Sequence, residues 1–140
     1  MNKLIILDLD DTLIHEGFDI ENAIMCEETL PVLEYLKLKK YIIALASHNH
    51  DGSSYLEVTG LHNYFNKVDC KYEININNQP SKINQIIRLI SFFGIDVNNI
   101  YYYDDVEFHV NEARQLGIEH AYLVDYRKGI QYKDIISAGL

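Results

Sequence analysis

Lys3-Leu4-Ile5-Ile6-Leu7-Asp8-Leu9-Asp10-Asp11-Thr12-Leu13 opens with an apolar run and ends in three acids within four positions. A short, continuous apolar run closed by a polar turn predicts a strand buried on both faces. The two-residue period of a strand then sets Asp8 and Asp10 on one side as the chain leaves the sheet. Like charges this close raise one another's pKa and oppose folding, so the cluster calls for a cation or a reaction. Taken alone, a solvated acidic turn is an equally good reading of it.

Working outward, apolar runs bounded by turn residues at 3–9, 41–46, 67–70, 100–103 and 118–124 predict five strands. Helical patterns lie between and after them at 30–38, 53–59, 81–93, 106–116 and 130–138, the first with Pro31 near its start. Strands alternating with helices over short connections predict an α/β fold. It is a three-layer, Rossmann-like parallel sheet with helices on both faces, because a parallel neighbour needs a crossover and the crossover is normally a helix. Ligand sites in such sheets lie at the carboxyl ends of the strands. The Asn-containing stretch 73–80 reads as the one longer, solvated loop.

The 140 residues, 48% of them hydrophobic, suffice for one domain spanning 1–140 with a real core. No apolar stretch is long enough to cross a bilayer, and no signal-peptide pattern follows Met1, so a cytoplasmic protein with no membrane contact is expected. The two cysteines, Cys26 and Cys70, have no zinc-like spacing and read as reduced thiols. A net charge of −9 disfavours nucleic acid and anionic lipid as partners. The only basic cluster is Lys37, Lys39 and Lys40 at a helix end.

Three further features bear on the acidic cluster. Ala44-Leu45-Ala46-Ser47 ends the second strand with a small hydroxyl that can donate to an anion, although a plain turn would use serine too. Pro80-Ser81-Lys82 sets a lysine at a helix start, where an anion is favoured and a lysine can clamp it. Tyr103-Asp104-Asp105 closes the fourth strand with a second acidic pair, the hard oxygen ligands that magnesium requires.

In order and position these features resemble the four motifs of the haloacid dehalogenase (HAD) superfamily, as Asp8-x-Asp10-x-Thr12, Ser47, Lys82 and Asp104-Asp105. The resemblance implies a Mg2+-dependent phosphomonoester hydrolase. In it Asp8 is the nucleophile that forms an aspartyl-phosphate and Asp10 is the general acid and base. Magnesium would be held by Asp8, the backbone carbonyl of Asp10, Asp104 and either directly or through water Asp105. Ser47 and Lys82, with His48 a further candidate, would bind the substrate phosphate. Thr12 would stabilise the turn after the strand. An acid at position 10 separates phosphate-ester chemistry from the dehalogenase and ATP-driven pump members.

The spacings from Thr12 to Ser47 and from Ser47 to Lys82 leave no room for a cap domain. Within the capless group the chain resembles the magnesium-dependent phosphatase-1 type, departing from it at His48, where Arg is common, and at His109, where Asn is common. The substrate would be a phosphorylated small molecule or an exposed phosphorylated side chain. A flap over 14–28 is expected to bring His15, Glu16, Phe18 and Asp19 nearest the site. Two other readings stay open: a catalytically weak, phosphate-binding regulatory module, and a polynucleotide-end phosphatase, against which the net charge counts. His48 and His50 are read as loop residues before a helix capped by Asp51 or Ser53, not as metal ligands. Tyr101, Tyr102 and Tyr103 are read as core packing.

Overall fold

The computed structural model describes residues 2–140. Strand β1 (Leu4–Leu7) is buried along its whole length. It pairs in parallel with β2 (Ile42–Ala46) on one side and β4 (Ile100–Asp104) on the other. β3 (Lys67–Asp69) extends the sheet beyond β2, and β5 (His120–Leu123) extends it beyond β4. The order is therefore β3-β2-β1-β4-β5, all parallel. The chain winds outward from β1 in one direction, then crosses back to build β4 and β5 on the other side. The order reverses between β1 and β4, and at that point the carboxyl ends of two strands part to leave a crevice.

Alternation along β1 divides the core in two. Ile5 and Leu7 face Val32, Leu33 and Leu36 of α1 (Thr29–Leu38), Leu56 of α2 (Gly52–Thr59) and Ile135 of α5 (Tyr132–Ser137). Leu4 and Ile6 face Ile86 and Leu89 of α3 (Ile83–Phe93) and Val110 and Ala113 of α4 (Glu107–Gln115). Both faces are covered, so the central strands carry no polar side until they end. All five predicted strands and five predicted helices form, each within about two residues of the expected limits, as terminal turns fray.

Among the described residues no separate domain is inserted between these elements. The flap over 14–28 is instead folded back on itself. His15 N donates to Ile24 O, Cys26 N donates to Leu13 O, and the Thr29 hydroxyl donates to Leu13 O at 2.7 Å. The loop 73–80 is exposed over most of its length, as expected, and is also held by local bonds. Ile74 bridges Pro80, and Asn75 Oδ1 accepts from the backbone of Asn77 and Gln79. No helix among the described residues is long and apolar enough to cross a membrane.

Candidate active site

Asp8 follows β1 directly and lies on the α3/α4 side, in register with Leu4 and Ile6. Its carboxylate is 5% exposed and held from two directions: Thr12 Oγ1 donates to Oδ2 at 3.2 Å, and Lys82 Nζ donates to Oδ1 at 2.6 Å. The turn that lets Thr12 reach back passes through Asp11 in the left-handed region, at φ 58°. Asp104 ends β4 on the same face and is fully buried. Its Oδ2 accepts from Lys82 Nζ at 2.8 Å and from Tyr102 Oη at 2.6 Å, while Oδ1 accepts from Val106 N at 3.0 Å. Lys82, itself 2% exposed, thus ties together the two strands that flank the crevice.

The electrostatics follow from burial. Burial and the neighbouring Asp104 push Asp8 up against the pull of Lys82. Burial also works against ionised Asp104, but the Lys82 ammonium and the hydrogen bonds from Lys82 and Tyr102 outweigh it and hold that carboxyl below its ordinary value. Burial would likewise depress Lys82, and the two carboxylates reverse that and raise it. Asp105 is pushed up to about 9 by burial, by its hydrogen bond with Asp8 and by the charges of Asp8 and Asp104. One carboxylate oxygen from each of Asp8, Asp104 and Asp105 lies within 4.8 Å of the others. Three oxygen donors short of counter-charge fit a hard divalent cation such as magnesium.

Around this centre the other candidates close a pocket of about 190 Å³. Ser47 is 1% exposed. Its Oγ accepts from Asn49 N at 3.0 Å, which leaves the hydroxyl proton to be donated. Gln85 of α3 grips the Ser47 carbonyl at 2.8 Å and the Asp69 carbonyl at 3.0 Å, so α3 sets the end of β2. His48 donates from Nε2 to the Ser81 carbonyl at 2.9 Å and packs edge-on against Tyr72 and His109. Burial, then the charges of Lys82 and His109, hold its pKa below the usual value and favour the neutral ring.

Glu112 of α4 lies beneath this wall, 3% exposed. It accepts from the Ser81 hydroxyl, from Lys82 N at 3.0 Å and from His109 Nδ1 at 3.0 Å. A carboxylate at the start of α3 suits the helix dipole and fixes the backbone from which Lys82 projects. On the opposite rim Asp10 accepts from Asn49 Nδ2 at 3.4 Å. Burial first, then the charges of Asp8 and Glu16, raise the Asp10 carboxyl to about 6.

No family model and no curated protein matches the sequence. Solved structures do match the fold. A haloacid dehalogenase-like hydrolase from Streptococcus pneumoniae superposes with a TM-score of 0.73 at 14% identity, over 98% of this chain and 90% of that one. A HAD-superfamily hydrolase from Ehrlichia chaffeensis gives 0.65 at 12% identity, over 99% and 96%. A Bacteroides fragilis protein segment containing a phosphatase domain, complexed with Mg, gives 0.71 at 19% identity, over 99% of this chain and 40% of that one.

The fold is the haloacid dehalogenase fold.

On this haloacid dehalogenase framework Asp8, Asp10, Ser47, His48, Lys82, Asp104 and Asp105 line one pocket, together with Glu16 and His109. The flap contributes less than expected. Glu16 reaches the pocket and Phe18 an adjoining one, but His15 turns toward Cys26 and Asp19 caps the short 3-10 turn at Ile20–Asn22. These two point away because the flap is held by its own backbone bonds. Asp51 stands before α2 but makes no side-chain cap, and Ser53 lies inside the helix.

Tyr102, Glu112, Gln85 and Asn49 join the candidate site through their hydrogen bonds to Asp104, Lys82, Ser47 and Asp10. Only Tyr102 carried a sequence signal: it is two residues before Asp104, hence on the same strand face.

Proposed function

We propose that the chain is a magnesium-dependent phosphomonoester hydrolase that works through an aspartyl-phosphate on Asp8. The observation that carries this reading is Lys82, whose ammonium bonds the carboxylates of Asp8 and Asp104 at the ends of adjacent strands. That is an arrangement for holding a nucleophile beside a site of concentrated negative charge. The comparison structures described as hydrolases and phosphatases support the class.

The chemistry follows from the positions. An Asp8 oxygen attacks phosphorus while the ester oxygen departs with a proton from Asp10, whose raised pKa keeps part of its population protonated near neutrality. Asp10, now a carboxylate, takes a proton from water as that water attacks the aspartyl-phosphate, releasing phosphate and regenerating Asp8. Lys82 has a third N–H for a phosphoryl oxygen, and Ser47 has its hydroxyl proton. Thr12 steadies the Asp8 carboxylate by donating to its Oδ2. When bound, magnesium would be held by Asp8, Asp104, Asp105 and the Asp10 carbonyl, and would neutralise charge on the transferring phosphoryl group.

The test is hydrolysis of para-nitrophenyl phosphate with magnesium, with EDTA, and by the Asp8→Asn protein. Activity that requires both metal and Asp8 is expected. An Asp8→Asn protein as fast as wild type would refute the mechanism.

A further inference from the structure

On its Asp10 side the phosphoryl pocket adjoins a second pocket of about 480 Å³ that shares Asp10, Glu16 and His48 with it and is walled by Phe18, Tyr55 and Tyr72. A third concavity, at Phe108 and Pro80, shares His109 and Val106 with the phosphoryl pocket but not Asp10. If Asp10 protonates the departing oxygen, as the proposed function has it, the alcohol half of the substrate must lie along Asp10. That would make the second pocket the leaving-group subsite. Its size suits a small organic group.

The walls of this subsite have a definite chemistry. Three aromatic side chains and the neutral-leaning imidazole of His48 line it, and Glu16 joins Asp10 as a second carboxylate; no Lys or Arg is among the described lining residues. Phe18 is 42% exposed and Tyr72 53% exposed, large apolar faces left open beside the reaction centre. The walls are also braced. Tyr55 Oη donates to the Phe18 carbonyl at 2.8 Å, pinning the flap to α2, and Tyr72 packs edge-on against His48 with ring centres 5.0 Å apart. Aromatic faces carry negative quadrupoles and attract ammonium groups, most strongly where a carboxylate stands beside them. A second anionic group on the substrate would meet Glu16 and Asp10 with no cation to pair it, in a protein whose net charge of −9 already repels it.

We infer that this subsite selects phosphomonoesters of small amino alcohols, with the substrate's ammonium held by Glu16 among Phe18, Tyr55 and Tyr72. The inference rests on the phosphatase reading of the same site and adds its substrate class. The reaction is a plain hydrolysis, in which water supplies the oxygen for phosphate and the proton for the free amino alcohol.

The test compares kcat/KM for phosphocholine, for its uncharged isostere 3,3-dimethylbutyl phosphate, and for anionic 2-phosphoglycolate, with para-nitrophenyl phosphate as the reference. Phosphocholine is expected to exceed the isostere by about tenfold, with 2-phosphoglycolate slowest. The ratio of phosphocholine to isostere should fall toward one in Glu16→Gln and in Tyr72→Ala. Binding of phosphocholine and its isostere to the Asp8→Asn protein, followed calorimetrically, should show the same preference without turnover. A ratio at or below one, with Asp8-dependent hydrolysis of para-nitrophenyl phosphate intact, overturns the inference and leaves the phosphatase standing. A preference that survives both substitutions overturns its assignment to this pocket. Absence of any Asp8-dependent hydrolysis overturns both.

Discussion

Tyr102 donates its phenolic hydrogen to Asp104 Oδ2 at 2.6 Å, two residues along the same face of β4. The tyrosine is fully buried between the sheet and the α3/α4 layer, so its hydroxyl has been brought inside to orient one carboxylate. Groups that orient a metal's ligands commonly tune affinity by about ten- to a hundredfold. Tyr102→Phe should therefore weaken magnesium binding by roughly tenfold while the circular dichroism spectrum is kept. Titration calorimetry with magnesium would check this, and unchanged affinity would reduce Tyr102 to packing.

Asp10 is held by Asn49 at the rim, where it would meet the ester oxygen. Its replacement by Asn should matter most when the leaving oxygen needs a proton. For alkyl phosphates, kcat in Asp10→Asn is expected to drop by about 10²–10⁴-fold, and by much less for para-nitrophenyl phosphate, whose phenolate leaves unaided. An equal loss on both substrates would speak against the acid role.

Glu112 accepts three hydrogen bonds from the start of α3 and from His109, in a place where water does not reach. Glu112→Ala strands those donors, and a cost of roughly 2–3 kcal/mol in urea unfolding is expected. The backbone that carries Lys82 should loosen as well, raising KM for phosphate esters. Unfolding at the wild-type midpoint would show that the network contributes little.

Gly129 adopts φ 73°, and a methyl there would collide first with the Cys26 side chain and also come within 2.7 Å of the Thr12 carbonyl oxygen. Since the Thr12 hydroxyl steadies Asp8, Gly129→Ala should lower both stability, by roughly 2 kcal/mol, and kcat. Wild-type kcat in a folded Gly129→Ala protein would disconnect this turn from the nucleophile.

Acid stability should carry a contribution from Asp69. Burial alone would raise its pKa, but hydrogen bonds from Arg88, from Lys71 N and from Gln85 prevail and lower it below 3.8. A folded-state value below the unfolded one means stability that is present above the unfolded pKa and disappears as the pH falls through the folded one. In Arg88→Met the largest interaction that holds the Asp69 carboxyl down is gone, so this contribution shrinks. Arg88→Met should therefore be less stable than wild type near pH 6, and urea midpoints measured down to about pH 3 should show that gap narrow, because wild type alone loses the contribution on acidification. Parallel curves would contradict this.

Much of the architecture was legible because it depends on local patterns. A buried parallel strand is apolar throughout, so β1, β2 and β4 stand out, and a crossover must be a helix, so the three-layer arrangement follows. The acids legible at strand ends, Asp8 and Asp104, meet because strand ends in such a sheet share one edge. Lys82 joins them because the start of α3 lies at that edge.

The supporting groups are another matter. Glu112 lies 30 residues from the Lys82 backbone it fixes, and Gln85 lies 38 from the Ser47 carbonyl it grips. Nothing local marks such residues, because their role exists only once two helices have packed on one face of the sheet. The same holds for His15 and Phe18, neighbours in one flap. His15 turns toward Cys26 and Phe18 faces the aromatic-walled pocket beside Asp10, as the flap's backbone hydrogen bonds and its anchor to Tyr55 dictate. Sequence by itself determined the order of elements and the residues at their ends, through hydrophobic period and local geometry. Tertiary packing alone decided which distant groups orient those ends and what chemistry walls the pocket beside Asp10, since only packing sets distances between elements.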